Sequence, residues 1–286
     1  MIKVQNLAFT YPKNVAPTVR GIDFDIAKGE IFGFLGPSGA GKSTTQKVLI
    51  KLLGGFKGVI EILDKPLEQW DKSYYNRIGV GFELPNHYLK LTGVENLQFF
   101  ASFYDRPSTE PMQLLEMVGL EKDAHKKVGD YSKGMKMRLN FVRAFMHNPD
   151  ILFFDEPTSG LDPGNARQMK DIMLDLKAQG KTIFITTHLM QDADELCDRV
   201  AFIVDGRIEL IDSPKALKLQ YGKRKLMVEY YNGELQQQEF DLDGIGDNTE
   251  FLRILKESEI HTMHTEEATL ESIFIEVTGK KLGNIE

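Results

Sequence analysis

Cysteine is nearly absent: Cys197 is the only one in 286 residues. This excludes a disulfide framework and any cysteine-based metal site. Within "DADELCDRV" that thiol reads as a small buried residue of a helix. The chain also lacks any apolar run near the roughly 20 residues needed to span a bilayer. Its opening, "MIKVQNLAF", has no long apolar core of the signal-peptide kind. The expectation is a cytoplasmic protein, peripheral to the inner face of a membrane only through a partner. Blocks of like charge are missing as well. The 35 basic residues are scattered among 42 acidic ones for a net charge of −7, which argues against nucleic acid as a partner.

What remains is enough chain for one large domain and one small one, with a substantial core. "GIDFDI" alternates Ile22, Phe24 and Ile26 with Asp23 and Asp25, the pattern of a half-buried strand. "GVIEIL" suggests another strand. Thr92 and Glu95 in "LTGVENLQFF" form a capping box, and a mostly helical stretch is predicted from there to about residue 145, punctuated by Pro107 and Pro111. "ILFF" and "TIFITT" are short continuous apolar runs, as strands buried on both faces require. Between them "NARQMKDIMLDLKAQG" is an amphipathic helix stopped by Gly180. "VAFIVDGRIEL" reads as a hairpin around Asp205-Gly206. Strands alternating with helices imply an α/β sheet with helices packed on it. Beyond about residue 220 the character changes to a hairpin on Asn232-Gly233, a helix "NTEFLRILKE", a strand "IHTMHT" and a helix "TLESIFIEVTG". This is a small α+β appendage of roughly 65 residues. His261 and His264 could ligate a metal, but on a strand they would face opposite sides, and no third ligand stands nearby.

The stretch "FLGPSGAGKSTTQKVL" ends a strand with glycines and a lysine and then opens a helix with apolar spacing at Val48, Leu49, Leu52 and Leu53. The glycines could simply turn the chain. Strand, glycine loop and helix in that order are also the setting of a phosphate cradle, and Gly36, Gly41, Lys42 and Ser43 meet its pattern. Lys42 would then reach the β- and γ-phosphates, and the Ser43 hydroxyl would hold Mg²⁺. Three further stretches bear on the chemistry. "ILFFDEPTSGLDP" places Asp155 at a strand end, where it can hold Mg²⁺, with Glu156 beside it as a general base for water. A solvated strand end is the plainer alternative. "TTHLMQDADELCD" leaves His188 at the same sheet edge, positioned for the γ-phosphate, although a lone histidine is often an ordinary surface residue. In "DYSKGMKMRLNFVRA", Ser132 and Gly134 open a helix whose first N–H groups are free for an anion.

Taken in order, these stretches resemble the ATP-binding cassette (ABC) family over residues 1 to about 215. "GPSGAGKST" (Gly36, Pro37, Ser38, Gly39, Ala40, Gly41, Lys42, Ser43, Thr44) is similar to its Walker A, "YSKGM" to its signature, and "ILFFDE" to its Walker B. "SGLD" resembles the D-loop with Asp162, and Thr187-His188 the switch-histidine loop. Tyr11 in "FTYP" stands where the family stacks an aromatic on adenine, unless it is a packing residue at a strand end. The resemblance implies a P-loop NTPase core with a helical subdomain and an N-terminal antiparallel β region, followed by the α+β appendage. The corresponding boundaries are residues 1–217 for the ATPase domain, about 84–146 for its helical subdomain, and 218–286 for the appendage. It further implies ATP and Mg²⁺ as cofactors, with ATP held between Walker A of one subunit and Ser132 and Gly134 of a second copy or a homologous ATPase.

Two departures stand out. The signature has Lys133 and Met135 where the family most often has Gly and Gln, and Glu83 in "IGVGFELPNHY" stands where it usually has Gln. Glu83 remains an oxygen ligand for Mg²⁺ in kind, or is a solvated loop residue. The tail "TLESIFIEVTGK" resembles the drug-export-type branch, whose ATPase is separate from its membrane permease. The implied function is ATP hydrolysis powering such a permease for export. A soluble ABC ATPase of the translation or DNA-repair type is the alternative.

Overall fold

The protein, described here by a computed structural model, has residues 1–105, 109–222, 225–266 and 268–280 described; Pro107 lies outside them. Two compact units divide the chain, Met1–Ser213 and Pro214–Lys280.

The first unit opens with strands β1 (Ile2–Phe9), β2 (Val19–Ile26) and β3 (Ile31–Leu35), then helix α1 (Lys42–Leu49). Strands β4 (Lys57–Ile62), β5 (Lys65–Pro66) and β6 (Ile78–Gly81) precede helices α2 (Gly93–Ala101), α3 (Pro111–Met117) and α4 (Lys133–Phe145). The remainder is β7 (Ile151–Asp155), α5 (Pro163–Ala178), β8 (Thr182–Thr187), α6 (Met190–Leu196), β9 (Arg199–Val204) and β10 (Arg207–Asp212).

Every residue of β3, β7 and β8 is buried, as their unbroken apolar runs require of central parallel strands. They lie in a six-stranded sheet of order β10-β9-β3-β8-β7-β6. Only the β9–β10 hairpin at its edge is antiparallel. The second sheet, β2-β1-β4-β5, is antiparallel throughout, and β2 keeps the in–out alternation of a half-buried strand. A phenylalanine cluster joins the two sheets. Phe24 of β2 packs on Phe32 and Phe34 of β3 at centroid distances of 5.7 and 5.5 Å. Phe184 of β8 meets Phe34 at 5.5 Å and Phe153 of β7 at 5.8 Å.

The predicted capping box is present: Thr92 accepts from the Glu95 N–H at 3.2 Å, and Glu95 accepts from the Thr92 N–H at 2.8 Å. Helix α1 is shorter than its apolar spacing suggests. It ends at Leu49, where Lys51 enters the left-handed region (φ 59°) and turns the chain toward β4. Leu52 is left exposed, while Leu53 still packs on the core. Between β6 and α2, His87 is buried and its Nε2 bonds the Lys136 carbonyl of α4 at 2.9 Å.

The second unit contains α7 (Pro214–Tyr221), β11 (Lys225–Tyr231), β12 (Leu235–Asp241), α8 (Thr249–Glu257), β13 (Glu259–Glu266) and α9 (Leu270–Thr278). Its sheet has β11 between β12 and β13, around a small core of Val228, Tyr230, Phe240, Phe251 and Ile254. The β11–β12 turn falls on Asn232-Gly233, with Gly233 at φ 81°. The division at Ser213 differs from a boundary at 217/218, which would cut α7 in half. Pro214 starts that helix, and α7 packs against α9 as one piece of the second unit. His261 stands edge-on to Tyr231, and His264 lies 3.4 Å from the Thr262 hydroxyl.

Two stability predictions follow from this packing. Phe184 is fully buried among four other rings, so Phe184→Ala should cost about 3–5 kcal/mol in urea denaturation. Burial pushes the His87 pKa from 6.5 down to about 4, with Arg143 and Lys136 adding to the shift against the Lys136 carbonyl. The fold therefore favours neutral His87. Its contribution is fully present above about pH 6.5 and lost as pH falls toward 4, up to about 3 kcal/mol. His87→Gln, which retains a donor for the Lys136 carbonyl, should flatten acid unfolding across that window.

Candidate functional site

Four strands of the parallel sheet deliver their chemistry at one edge. After β3 the chain passes so close to β9 that a Cβ on Gly36 would lie 2.1 Å from the Ile203 carbonyl oxygen, so only glycine fits. At the other end of the loop Gly41 precedes α1 with φ 109°, a conformation natural to glycine. Ala40 is buried between them, its N–H donating to the Pro37 carbonyl at 3.2 Å. Lys42 turns back across the loop and donates to the Gly36 carbonyl at 2.7 Å and the Pro37 carbonyl at 3.1 Å. Burial lowers its pKa, opposed by the charges of Glu156, Asp155 and Glu83. Lys42 is thus a buried cation facing three carboxylates, without a direct ion pair among the described residues.

Strand β7 ends at Asp155, whose Oδ1 accepts from Ser43 Oγ at 3.1 Å and also from the Thr186 hydroxyl. Glu156 follows with φ 50°, a left-handed conformation that costs a non-glycine residue about 1–3 kcal/mol. Parallel pairing with β8 holds it there, its N–H donating to the Thr186 carbonyl at 2.9 Å. Thr187 Oγ1 donates to Glu156 Oε2 at 3.1 Å, and His188 Nδ1 lies 2.9 Å from Glu156 Oε1. Both oxygens of this buried carboxylate are therefore engaged. Thr186 was not singled out from the sequence, and Thr187 only as part of the switch-histidine resemblance, not as a partner of Glu156. The signal for their pairing with the two acids is the tandem threonine ending "TIFITT", opposite the tandem acid ending "ILFFDE".

These groups surround a cleft of about 360 Å³ lined by Ser38, Gly39, Gly41, Lys42, Ser43, Thr44, Glu83, Glu156 and His188. Thr18 also lines it and was not anticipated. Tyr11 stands beside it, its hydroxyl 3.2 Å from Thr44 Oγ1 and its ring edge-on to Phe9 at 5.0 Å. Gly36, Pro37, Ala40 and Asp155 lie just behind this lining, in the glycine loop and at the end of β7, whereas Ser132, Gly134 and Asp162 stand at helix starts that do not contribute to it. Ser132 caps α4 by accepting from the Met135 N–H at 3.2 Å, and Asp162 caps α5 by accepting from the Asn165 N–H at 3.0 Å. Hydrogen bonds from Asn165 hold the Asp162 carboxyl below its usual range. A Cβ on Gly134 would meet Leu161 at 3.6 Å, so the starts of α4 and α5 lie together.

The donor chemistry suits a magnesium–nucleotide complex. A hydroxyl and two carboxylates (Ser43, Asp155, Glu83) are the hard oxygen donors that Mg²⁺ takes. Among the described residues the buried ammonium of Lys42 has only backbone carbonyls as acceptors, in a loop whose N–H groups can face phosphate.

Comparison with known proteins agrees with this geometry. The ABC transporter family model matches residues 19–159, and a fluoroquinolone efflux ABC transporter C-terminal domain model matches residues 224–267. A fluoroquinolones export ATP-binding protein of Mycobacterium tuberculosis is 56% identical over 284 residues, covering 99% of this chain and 94% of that protein. A Nod factor export ATP-binding protein I of Burkholderia thailandensis is 33% identical over 285 residues, 92% of this chain and 93% of that one. Among solved structures, an ATP binding subunit of an ABC transporter superposes with a TM-score of 0.70 at 29% identity, covering 77% of this chain and 93% of its own. A dimeric ATP-binding cassette in a post-hydrolysis state, bound to ADP and Pi, gives 0.67 at 26% identity, covering 74% and 98%. Among the described residues no helix is long and apolar enough to cross a membrane. The chain belongs to the ABC transporter ATP-binding proteins, as an ATP-hydrolysing subunit of the export type.

Proposed function

We propose that this chain hydrolyses ATP in the cleft at the carboxyl edge of its parallel sheet and passes the resulting motion to a separate membrane permease on the cytoplasmic face. The carrying observation is the convergence of Lys42, Ser43, Glu83, Glu156 and His188 on that one cleft. Residues 36–44 cradle the phosphates with backbone N–H groups and the start of α1. The Lys42 ammonium exchanges its carbonyl acceptors for the β- and γ-phosphates, and Tyr11 stacks on adenine. Bound Mg²⁺, held by Ser43, Asp155 and Glu83, would neutralise developing charge on the phosphates. Glu156 takes the proton of the attacking water. His188 moves from Glu156 Oε1 to the γ-phosphate, which releases that oxygen for the water.

Ser132, Gly134 and Asp162 then act on a second subunit's nucleotide. Their place outside this cleft supports a two-subunit site, and so does the dimeric state of related cassettes. Leu84 and Tyr88 in the loop after Glu83, and Phe103 just beyond the end of α2, are exposed and give a permease helix an apolar seat. The cargo named for the relatives differs, fluoroquinolones in one and Nod factor in another, which fits selection by the permease rather than by the ATPase. The long match to the mycobacterial protein supports a fluoroquinolone-type drug as cargo. Deleting this chain should then sensitise its host to such drugs.

Glu156→Gln tests the chemistry. A general base contributes about 10²- to 10⁴-fold, so turnover should fall by that factor. ATP affinity should hold or rise because one negative charge near the γ-phosphate is removed. The variant should accumulate as an ATP-bound dimer in size-exclusion chromatography, and adding Ser132→Arg should abolish it. Retained turnover in Glu156→Gln would move the base elsewhere, with His188 the next candidate.

A further inference from the structure

The loop that carries Glu83 leaves the sheet after β6, but its backbone is fastened to α4. Asn140 Nδ2 donates to the Phe82 carbonyl at 2.8 Å, and Arg143 Nη1 donates to the Asn86 carbonyl at 2.7 Å. A third bond, from Arg143 Nη2 to Asn140 Oδ1 at 2.7 Å, joins the two side chains into one clamp. Glu83 lies between the two grips, in the part of the loop that lines the cleft. With Lys136, whose carbonyl meets His87, the residues form one stripe of α4 at spacings of four and three.

The chemistry of the clamp is specific. Arg143 is half-buried, and burial lowers its pKa to about 10. Among the described residues no carboxylate pairs with it. Its guanidinium instead lies 4.3 Å from the Phe100 ring centre and spends its donors on a carbonyl and an amide. Desolvating part of a cation without a carboxylate partner is unfavourable, so the position is not chosen for ion pairing. Only a planar fork of donors can span the Asn86 carbonyl and the Asn140 amide together. The arrangement therefore makes sense as a device for holding the loop.

We infer that Asn140 and Arg143 are positioning residues for Glu83: they lock the loop of residues 82–86 onto α4. Glu83 is then aimed into the cleft by the same helix that begins with Ser132 and Gly134, and a shift of that helix carries the carboxylate with it. The inference rests on the proposed role of Glu83 as an oxygen ligand for the metal.

The test uses Glu156→Gln as parent, so that bound ATP persists, and reads Mn²⁺ affinity of the ATP complex by electron paramagnetic resonance. Asn140→Asp is the informative variant. Its new carboxylate still accepts from Arg143 and pairs with its charge, which preserves packing, but it cannot donate to Phe82. Loss of a residue that orients a metal ligand typically weakens affinity by about 10- to 100-fold. Asn140→Asp should lose that much Mn²⁺ affinity, as should Glu83→Ala, and the double variant should lose no more than Glu83→Ala alone. Metal-free ATP affinity and the melting temperature should stay near those of the parent. Arg143→Lys keeps the charge without the fork and should show the same selective loss, which carries the test if Asn140→Asp folds poorly. Parental Mn²⁺ affinity in both clamp variants, or losses that multiply with Glu83→Ala, would overturn the clamp alone. Parental affinity in Glu83→Ala would overturn the metal role of Glu83, and the clamp's purpose with it.

Discussion

The parallel register of β7 against β8 is the constraint on which the site depends. It pairs Asp155 with Thr186 and so sets two adjacent acids against two adjacent threonines. Side chains alternate along a strand, so a slip of one residue would turn every one of them to the opposite face. The register is fixed by the phenylalanines upstream: Phe153 and Phe184 are neighbours in the pairing and fully buried in the cluster that joins the two sheets. Core packing thus sets hydrogen-bond geometry at the strand ends. With Asp155 held by hydroxyls of Ser43 and Thr186, the helix after the glycine loop and the centre of the sheet meet on one carboxylate.

The same edge concentrates unfavourable features. Lys42 is a buried ammonium, Glu156 is a buried carboxylate in a left-handed conformation, and Asp155 sits directly before it. Each would be costly in isolation. Their mutual fields offset part of that cost, because the three carboxylates around Lys42 oppose the effect of burial on its pKa. Strain of this kind persists only where the surroundings over-determine it. Here they do so through the Thr186 carbonyl, the Thr187 hydroxyl and His188, which together hold the Glu156 backbone and both of its oxygens.

Much of this was legible in the sequence, and the missing parts have a common character. Continuous apolar runs gave the central strands because strands buried on both faces have no polar side to show. Local signals gave the capping box at Thr92, the Asn232-Gly233 turn and the glycine loop, each written within a few residues. What could not be read depends on distant pairing. The threonine clasp joins residues 31 apart, and the α4 clamp joins residues 58 and 57 apart. No local pattern marks Asn140 as different from any polar residue on an amphipathic helix. The end of α1 was misjudged for a related reason. Leu52 and Leu53 keep helical spacing, but the chain must turn at Lys51 to reach β4, and that demand arises from the second sheet.

The starts of α4 and α5 close the physical picture. They lie side by side, Gly134 against Leu161, with Ser132 and Asp162 both occupied as caps, and neither lines the cleft. Helix starts carry partial positive charge and unpaired N–H groups, which favour an anion. On the proposed reading that anion is another subunit's nucleotide. The affinity of the two subunits for one another then depends on a ligand that each holds mainly by its own glycine loop. Association driven in this way is conditional, because hydrolysis alters the charge that joins the surfaces while leaving the protein surfaces themselves unchanged. A helix that both presents Ser132 to the neighbour's nucleotide and grips the loop of Glu83 in its own cleft gives the two sites a direct mechanical link. Helix α4 is itself seated on the sheet, Phe141 stacking on Phe154 of β7 at 4.8 Å, so the loop it grips is tied to the same core that positions Asp155 and Glu156.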